Sequence, residues 1–501
     1  MKARMIQFGP TSAATNAGRV VLSPEMNAAV AARHSRTADG LDAILESIDK
    51  SGDEDKAIDS VFRFVDYGHR SIVDMIPVSI HIEGVSLFIV EFLWSLVHTG
   101  GGQETSTRYC RMSADDVYFP PEIPESLADE FRSQVKKSLD AYELAMEFWK
   151  VVSQKCPDLV GVTDGMDAKR AERFRRNFVF DRSRYFIPVV CRTNVNITTW
   201  ATEWIRIVQA LLSSPWDEAR QIGQLVRNEL ELAAPRIVRH ARFNEASKAV
   251  IDGQIVSSTL SGSGLFVRGL DPLTKSLHLF NNLASQPSVE MLLRSLIMHN
   301  KVGVGSTVME FFDNALSDPK VLERDLGLRK NRYDPVGPTV SALPVLYSFK
   351  GVATAEIRDM NRHRPGVRRM TLRPEGFYFA EDQILSAISK RDHDNEIQDM
   401  AITLARTGVM IGQSTLGLAE KLLGKGLGSG AEAAIYSTNL GNTFSFTHSN
   451  TLGHLIYECE LRTGPGVHYR YCSHYRELLR KIYNDYPLLK KFVLEGSGEP
   501  E

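Results

Sequence analysis

The chain has 501 residues, of which 43% are hydrophobic and 24% are charged, and its formal net charge at pH 7 is -2. This composition excludes a disordered chain, and the near-zero charge gives no general reason to expect a nucleic acid or an anionic membrane as a partner. A chain of this length predicts two domains, each large enough to bury a hydrophobic core.

The cysteines and the N-terminal residues indicate the compartment in which the protein resides. The five cysteines are scattered without a close CxxC pair, which fits a reducing compartment better than a disulfide framework. Residues 1–18 lack the apolar core of a secretory signal, and the most apolar window, residues 79–98, is interrupted by Glu83 and Glu91. We therefore expect a cytoplasmic protein in which this window forms a buried strand, a turn and a helix.

Helical periodicity dominates the chain, and strands are few and short. Apolar residues recur at steps of three and four in six segments, namely residues 127–152, 202–212, 216–232, 289–299, 397–423 and 474–486. Two other segments, IPVSIHIEGV at residues 76–85 and LPVLYSFKGV at residues 343–352, share Pro-Val and a final Gly-Val, and each leads into helical sequence. We interpret these two segments as traces of an internal duplication.

A run of small residues separates the two copies. The sequence SSTLSGSG at residues 257–264 lies between helical stretches and is typical of a linker, although it is equally compatible with a rigid loop. Its position predicts a first repeat at residues 1–256 and a second repeat at residues 257–501. The fold is expected to be mixed and rich in helix.

The second copy contains an arginine-rich segment with the triplet Arg362-His363-Arg364, which is followed by Pro365-Gly366. Proline and glycine interrupt a helix, so a loop is expected just past the triplet. Guanidinium groups bind phosphate oxygens in a bidentate manner, and a loop suits the approach to a ligand. Taken alone, the segment is equally typical of a solvated or phosphate-steering surface.

A complementary segment lies upstream, where residues 104–109 read ETSTRY. Together with the triplet, it resembles the two ends of RHRxxSxNxxSxRY, the signature motif of the flavin-dependent thymidylate synthases. The first copy has Leu96, Val97 and His98 in place of the triplet, whereas the second copy lacks a clear SxRY end. The resemblance therefore implies one composite site for dUMP built from both copies. The residues it assigns to dUMP are Glu104, Ser106, Arg108, Arg362 and Arg462.

Other segments carry the resemblance to the flavin site. Gly68-His69-Arg70-Ser71 and the residues after it resemble the GHxSxxE element that lies along the flavin in this family, with Asp74 in place of the glutamate. The alternative is a helix N-terminus that Ser71 caps, with His69 as an ordinary surface residue. The residues that the resemblance assigns to FAD are His69, Ser71, His363, Arg364 and Asn450.

The strongest block of resemblance is NTLGHLIYECELRTGPGVHYRY at residues 450–471. It matches the family pattern of an asparagine, an amphipathic helix and a closing Leu-Arg, which places Arg462 at the arginine that hydrogen-bonds the uracil ring. By this resemblance Arg462 is the catalytic residue and acts as a fixed cation. The first copy has Leu212 or Ser213 at the corresponding place and has lost the arginine.

Metal and phosphate-loop motifs fit the sequence less well. The residues Cys459, His468, Cys472 and His474 have an irregular spacing that matches no common structural zinc site, so no metal is expected. The glycine-rich run at residues 424–430 lacks the GK[ST] end of a phosphate-binding loop. No cysteine has the histidine-paired setting of a nucleophile, and the flavin-dependent family does without one.

The resemblance implies an α+β fold made of two diverged thymidylate synthase-like copies, each rich in helix with a small, mainly antiparallel sheet. It implies an FAD-dependent methyltransferase that converts dUMP to dTMP with methylenetetrahydrofolate and NADPH, and a homodimer that mimics the family tetramer. Two alternatives stay open. One is a degenerate relative that binds nucleotide or flavin without turnover, and the other is a flavoenzyme that acts on another pyrimidine nucleotide.

Overall fold

A computed structural model describes residues 1–6, 22–34, 37, 40–51, 55–56, 58–59, 70–112, 116–259, 315–390 and 394–496. The helix expected at residues 289–299 lies outside the described residues. The same holds for residues 260–264 of the expected linker, and the helix before them ends at Thr259.

Each half of the sequence contains four strands, with helices between and after them. The strands are β1 (Lys2–Ile6), β2 (Pro77–Ser86), β3 (Gly101–Glu104), β4 (Arg192–Trp200), β5 (Pro344–Ala353), β6 (Val367–Met370), β7 (Gly376–Phe377) and β8 (Asn442–Thr451). The helices of the first half are α1 (Pro24–His34), α2 (Leu41–Ser51), α3 (Leu87–Leu96), α4 (Glu125–Lys155), α5 (Pro157–Val160), α6 (Ala168–Ser183), α7 (Ala201–Leu212), α8 (Asp217–Ala233), α9 (Pro235–Val238) and α10 (Glu245–Thr259). Those of the second half are α11 (Pro319–Leu326), α12 (Pro338–Ser341), α13 (Thr354–Met360), α14 (Glu381–Lys390), α15 (Asn395–Leu423), α16 (Leu452–Arg462) and α17 (Tyr469–Asp485). Short 3-10 helices are found at Arg70–Met75, Arg184–Phe186, Ala431–Ser437 and Pro487–Lys491.

The chain divides into two compact units. Unit 1 contains Met1–Ser133, Pro188–Thr259 and Glu420–Ser437, and unit 2 contains Gln134–Ile187, Leu260–Ala419 and Thr438–Glu501. Each unit therefore includes a segment from the other half of the sequence. The repeat boundary expected between residues 256 and 257 divides the sequence and not these compact units. It stays a prediction.

Unit 1 contains a four-stranded antiparallel sheet with the strand order β1-β2-β4-β3. The β-branched residues Val78, Ile80 and Ile82 alternate along β2 and are buried, as expected of a strand that packs one face against the core. Trp204 of α7 is fully buried, and its indole N–H donates to the carbonyl oxygen of Val78 at 3.0 Å. The helix that follows β4 thus covers this face of the sheet.

Unit 2 contains a second antiparallel sheet, in which β8 lies between β5 and β6 and also pairs with the short strand β7. Helices α13 and α16 begin directly where β5 and β8 end. The expected α+β class is therefore confirmed: the described part of the chain is rich in helix, and its strands pair antiparallel. The strand and helix expected at residues 79–98 are also confirmed, although β2 passes into α3 without a turn.

The two segments of similar sequence form equivalent strands. They become β2 and β5, and each pairs with the strand that lies beside it in the middle of its sheet, β4 or β8. Each pairing is interrupted by a bulge at a glycine with positive φ, Gly84 at 68° and Gly351 at 64°. A left-handed backbone favours glycine, which explains why Gly-Val occurs at the same place in both segments.

A buried carboxylate holds the start of the helix after each bulged strand. In unit 1, Glu218 accepts from the backbone N–H of Ser86 at 2.7 Å, from the Ser86 hydroxyl at 2.7 Å and from the Tyr436 hydroxyl at 3.0 Å. All three residues are buried. The carboxylate satisfies the backbone donor that lies just before α3.

Unit 2 has a similar arrangement. Glu356 accepts from the backbone N–H of Ala353 at 2.9 Å and from the Tyr185 hydroxyl at 2.8 Å. In both units the tyrosine belongs to a 3-10 helix from the other half of the sequence, since Tyr436 serves unit 1 and Tyr185 serves unit 2. Each half of the sequence thus contributes a 3-10 helix to the unit that is built mainly from the other half.

Candidate active site

The arginine triplet lies in a loop between α13 and β6. Helix α13 ends at Met360, and the backbone N–H of His363 donates to the carbonyl oxygen of Met360 at 3.1 Å. Gly366 has a φ of 87°, and a Cβ there would meet the carbonyl oxygen of Ser449 on β8 at 2.0 Å. Only glycine fits this close approach. The loop that the sequence predicts after the triplet is therefore present.

His363 and Arg462 are in direct contact. His363 is 4% exposed, and its Nε2 accepts from Nε of Arg462 at 2.7 Å. Burial and the neighbouring cation lower the pKa of His363 to about 3. The imidazole is therefore neutral at physiological pH, with its proton on Nδ1, and Arg462 keeps the positive charge. Arg462 is the last residue of α16 and is half-buried.

Helix α7 of unit 1 follows its strand in the same way as α16, the helix that carries Arg462, follows its strand in unit 2. Helices α7 and α16 follow the equivalent strands β4 and β8, with Trp200 and Thr451 as their N-cap residues. Counted from these caps, the residue equivalent to Arg462 is Leu211, which is fully buried, and not Leu212 or Ser213. Helix α7 thus carries no arginine at this place, and the assignment of Leu212 or Ser213 from the sequence stays a prediction.

A buried carboxylate, Glu458, lies at the centre of the site. It is 0% exposed. Its Oε2 accepts from the hydroxyl of Tyr475 at 3.1 Å and from the hydroxyl of Tyr347. Burial alone would raise the pKa of this carboxyl, but hydrogen bonding to the side chains of His448 and His454 helps to hold the pKa well below its usual value. Glu458 is therefore a buried anion.

The other oxygen of Glu458, Oε1, lies beside one asparagine and two histidines. Nδ2 of Asn450 donates to Oε1 at 2.9 Å, and Nε2 of His454 lies 3.2 Å from it. Nδ1 of His448 lies 3.4 Å from the same oxygen, while its Nε2 donates to the carbonyl oxygen of Pro365 at 2.7 Å. His448 thus connects the carboxylate to the loop that carries the triplet.

Asn450 contributes a buried acceptor that accepts no hydrogen bond from the described residues. Its Oδ1 is buried, whereas its amide nitrogen is used by Glu458. A buried polar atom without a partner carries a free-energy penalty. An N–H group of a bound heterocycle, such as the ring N–H of a flavin or of uracil, matches this acceptor.

Asp359 organises the cations around the triplet. Its carboxylate lies 3.3 Å from a guanidinium nitrogen of Arg362 and 3.3 Å from one of Arg184. Arg184 is buried, whereas 40% of the Arg362 side chain is exposed. Arg364 is half-buried. Arg362 therefore presents its guanidinium at the surface, where a phosphate can approach.

The other residues that the resemblance assigns to dUMP lie together in unit 1 at the end of β3. Glu104 accepts from the indole N–H of Trp94 at 3.1 Å. Ser106 begins a turn, and its Oγ accepts from the backbone N–H of Arg108 at 3.2 Å. Ser106 and Arg108 are both partly exposed. A hydroxyl and a guanidinium on one turn form a suitable donor pair for an anion.

The element expected to lie along the flavin is only partly described. His69 lies outside the described residues, as does the side chain of Ser71. The backbone from Arg70 to Met75 forms a 3-10 helix, and Asp74 accepts a hydrogen bond from the hydroxyl of Thr202. The roles assigned to His69 and Ser71 stay predictions.

Among the described residues, one group of side chains has the spacing of metal ligands. His363, His454 and Glu458 offer ligand atoms within 4.8 Å of one another. Protein donors already use both oxygens of Glu458, and Arg462 donates to His363. A fixed guanidinium cation beside the group also opposes a divalent ion. These contacts favour a hydrogen-bonded cluster over a metal centre.

Residues 19–236 match the family model described as thymidylate synthase complementing protein. The matched residues are similar to the flavin-dependent thymidylate synthase family. The family recognised from the motifs is therefore confirmed. The match covers less than half of the chain, and it includes Glu104, Ser106 and Arg108 but not Arg362 or Arg462. No curated protein matches the sequence.

The flavin-dependent thymidylate synthases are thymidylate-forming transferases, and the family implies FAD, dUMP and a folate as ligands. The donor set in unit 2 fits such ligands, because guanidinium groups suit phosphates and the buried Oδ1 of Asn450 suits a ring N–H. Among the described residues, no helix is long and apolar enough to cross a membrane.

Sequence motifs missed the centre of this site. Tyr347, His448, His454, Glu458 and Tyr475 come from β5, β8, α16 and α17. The one local signal was the spacing of His454 and Glu458, which places both on one face of a helix. The sequence pattern alone gives no functional role to Tyr347 of β5 or to His448 of β8.

Proposed function

We propose that the whole chain is a flavin-dependent thymidylate synthase that converts dUMP to dTMP with methylenetetrahydrofolate and NADPH. The observation that carries the proposal is the complementary distribution of the family residues. The hydroxyl and arginine end of the motif, Ser106 to Arg108, occurs in unit 1 only. The triplet and the closing arginine, Arg462, occur in unit 2 only. We infer one composite site for each chain.

Two diverged repeats, residues 1–256 and residues 257–501, are part of this proposal. Equivalent strand order, bulges at Gly84 and Gly351, and the carboxylates Glu218 and Glu356 that hold the following helices support a duplication. Independent folds would not be expected to share all three features. Each repeat has kept a different part of the family motif.

In the proposed site, the surface cations bind the phosphate of dUMP. Arg108 and Arg362 are the two guanidinium groups assigned to it, with Ser106 as a hydroxyl donor. Arg362 is exposed and pairs with Asp359, which holds its guanidinium in one orientation. Bidentate arginine contacts give both affinity and geometry to phosphate recognition. Glu104 belongs to the same subsite.

Arg462 acts on the uracil ring as a fixed cation. Its bond to the neutral His363 leaves its charge available for the negative charge that develops when the ring is activated. Its guanidinium carbon lies 5.0 Å from the ring centre of Tyr471, a contact that further restricts its orientation. Both contacts reduce the reorganisation needed during the reaction.

The flavin-facing residues of the proposal are His69, Ser71, His363, Arg364 and Asn450. FAD, when bound, would supply the redox and one-carbon chemistry that no side chain provides. The residues of the chain orient the ligands: Arg364 offers a cation and Asn450 a buried acceptor. The proposed chemistry uses no nucleophilic cysteine. In agreement with this, burial raises the pKa of Cys191 to about 12 and that of Cys459 well above its usual value, so both thiols are poor nucleophiles.

A degenerate relative that binds nucleotide or flavin without turnover is the second candidate. Unit 1 favours it, because α3 continues through Leu96 where the triplet would begin and Leu211 replaces the closing arginine. A flavoenzyme acting on another pyrimidine nucleotide is a third candidate. These candidates differ in whether dUMP drives the consumption of NADPH.

Absorbance spectra and turnover separate the candidates. We expect flavin absorbance in the purified protein, dUMP-dependent oxidation of NADPH and formation of dTMP. Arg108→Ala and Arg462→Ala are each expected to abolish turnover, whereas Arg480→Ala, at an exposed position of α17, is the matched control. Colourless protein that cannot be reconstituted with FAD would exclude a flavoenzyme. Spectral response to another pyrimidine nucleotide but not to dUMP would favour the third candidate.

Assembly and compartment complete the proposal. If each chain supplies two repeats, a homodimer would reach the four repeats of the family tetramer. Light scattering of the purified protein tests this, and a monomer with full turnover would contradict it. The five cysteines all lie within the described residues and form no disulfide, which supports a reducing compartment such as the cytoplasm.

A further inference from the structure

We propose that Glu458 is a positioning residue of the unit 2 site, which holds Asn450, His454 and the loop of the arginine triplet in place for ligand binding. This inference rests on the proposed function and deepens it. Glu458 itself is fully buried and would not touch the ligand.

Glu458 contacts residues of β5, β8, α16 and α17. Asn450 and His454 contact it directly. His448 lies beside it and donates to the carbonyl oxygen of Pro365, the residue that follows the triplet. The ring of His454 lies edge-on to that of His363, with the centroids 6.1 Å apart. A displacement of Glu458 would therefore be felt by the side chains that face the ligand.

The equivalent strand positions of unit 1 contain aliphatic residues. In unit 2, Tyr347 of β5 lies opposite His448 of β8. In unit 1, the strand pair with the same register places Ile80 opposite Ile197, and both are fully buried. The polar pair and the aliphatic pair occupy the same place on the same backbone.

The helices show the same replacement. Counted from the N-cap residues Trp200 and Thr451, the position of Glu458 is taken in unit 1 by Ile207, which is fully buried. Unit 1 also has no tyrosine at the position of Tyr475. Helices α8 and α17 both have 17 residues, and counted from their starts Tyr475 corresponds to a glycine.

That glycine, Gly223, leaves no space for a ring. A Cβ at Gly223 would meet Cβ of Leu211 at 3.0 Å, and Leu211 is the residue equivalent to Arg462. Unit 1 has thus closed the space that the polar cluster fills in unit 2. The closure is consistent with one ligand site for each chain.

The comparison separates folding from function. A buried carboxylate carries a large desolvation penalty, and replacing a buried polar group by well-packed aliphatic residues is often neutral or stabilising. Unit 1 demonstrates that the same strand and helix register forms with aliphatic residues. The fold therefore has no need of Glu458, and the site is the remaining reason for its presence.

The chain itself provides the design of the test. The triple variant Tyr347→Ile, His448→Ile and Glu458→Ile copies the unit 1 residues Ile80, Ile197 and Ile207 into unit 2. We expect it to remain folded in the absence of ligand, with a melting temperature lowered only by the loss of the acceptor for Tyr475 and Asn450. We expect its affinity for dUMP, measured by calorimetry, to fall roughly tenfold or more, the effect of losing a charge-assisted hydrogen bond. The change that dUMP causes in the flavin spectrum should be lost.

Glu458→Gln provides a second variant with nearly the original volume. It keeps an acceptor for Asn450 but loses the charge, so the dUMP affinity should fall while the melting temperature stays close to that of the wild type. Wild-type affinity and a wild-type spectral response in both variants would overturn the inference. Unfolding of both variants would also overturn it, because Glu458 would then be required for folding.

The wild type, measured in parallel, distinguishes a failure of the proposed function from a failure of the inference about Glu458. A wild type that binds neither dUMP nor FAD would overturn the proposed function and this inference with it. A wild type that binds both, together with variants that bind equally well, would overturn this inference alone. Circular dichroism of each protein confirms that the comparison concerns folded chains.

Discussion

Nε of Arg462 donates to Nε2 of His363 at 2.7 Å, and this bond joins the end of α16 to the triplet that follows α13. The accepting nitrogen carries no proton, so the positive charge of the pair stays on the guanidinium. Such a preorganised cation does not have to reorient when negative charge develops on a bound ring. The geometry of the guanidinium, and not its charge alone, is therefore expected to determine turnover.

Replacing Arg462 by lysine tests this expectation. Lysine keeps the charge but lacks the planar fork that can contact His363 and a ligand together. We expect Arg462→Lys to lower kcat by on the order of a hundredfold, as for the loss of one fixed electrostatic donor. Steady-state turnover of dUMP measures the effect, with Arg480→Lys on the exposed side of α17 as the control. Near-normal turnover in Arg462→Lys would mean that charge suffices.

The neutral state of His363 makes stability depend on pH. Burial and the cation of Arg462 lower the pKa of His363 from 6.5 to about 3. The unfolded chain takes up this proton below about pH 6.5 but the folded chain does not until about pH 3, so stability is lost as the pH falls through this window. We expect the wild type to lose roughly 2 kcal/mol more unfolding free energy than His363→Gln between about pH 6.5 and about pH 5. Urea titrations measure both losses, and equal losses would contradict the prediction.

Local patterns predicted the elements that carry the site. Alternating β-branched residues identified β2, and its resemblance to the segment at residues 343–352 identified β5. The three- and four-residue periodicity predicted most of α4, α7, α8, α15 and α17 in the described chain. Pro365-Gly366 predicted the loop after the triplet. Each of these features depends on neighbouring residues, and sequence reports such features directly.

The centre of the site depends on distant segments, and sequence did not predict it. Glu458 becomes a buried anion because Tyr347 and Tyr475, from β5 and α17, donate to it. The exchange of 3-10 helices between the two halves of the sequence was not predicted either, since nothing near Tyr185 indicates that its hydroxyl donates to Glu356. Such contacts follow from tertiary packing, which single-sequence patterns do not encode.

Glu218 of unit 1 is expected to give the opposite pH dependence. Burial raises the pKa of its carboxyl from 4.5 to about 7, although Ser86 and Tyr436 donate to it. The folded chain therefore keeps a proton that the unfolded chain releases near pH 4.5, and stability falls as the pH rises through this window. Glu218→Gln resembles the protonated carboxyl, so we expect it to be more stable than the wild type by roughly 3 kcal/mol above about pH 8 and similar near about pH 4.5. Parallel stability curves in urea would contradict this.

A buried ion pair anchors the segment before α12 to the helix of Arg462. Arg329 donates to both oxygens of Glu460, at 2.9 and 2.6 Å, and its side chain is 3% exposed. Arg329→Met leaves the carboxylate of Glu460 buried without its cation, so the free energy of unfolding should fall by about 3 to 5 kcal/mol. The double variant Arg329→Met with Glu460→Leu removes both charges and should regain most of this loss, although the backbone N–H of Leu494 loses an acceptor. Urea unfolding of the wild type and the two variants measures these free energies. Equal stability of the single and double variants would show that the unpaired carboxylate of Glu460 does not cause the loss of stability.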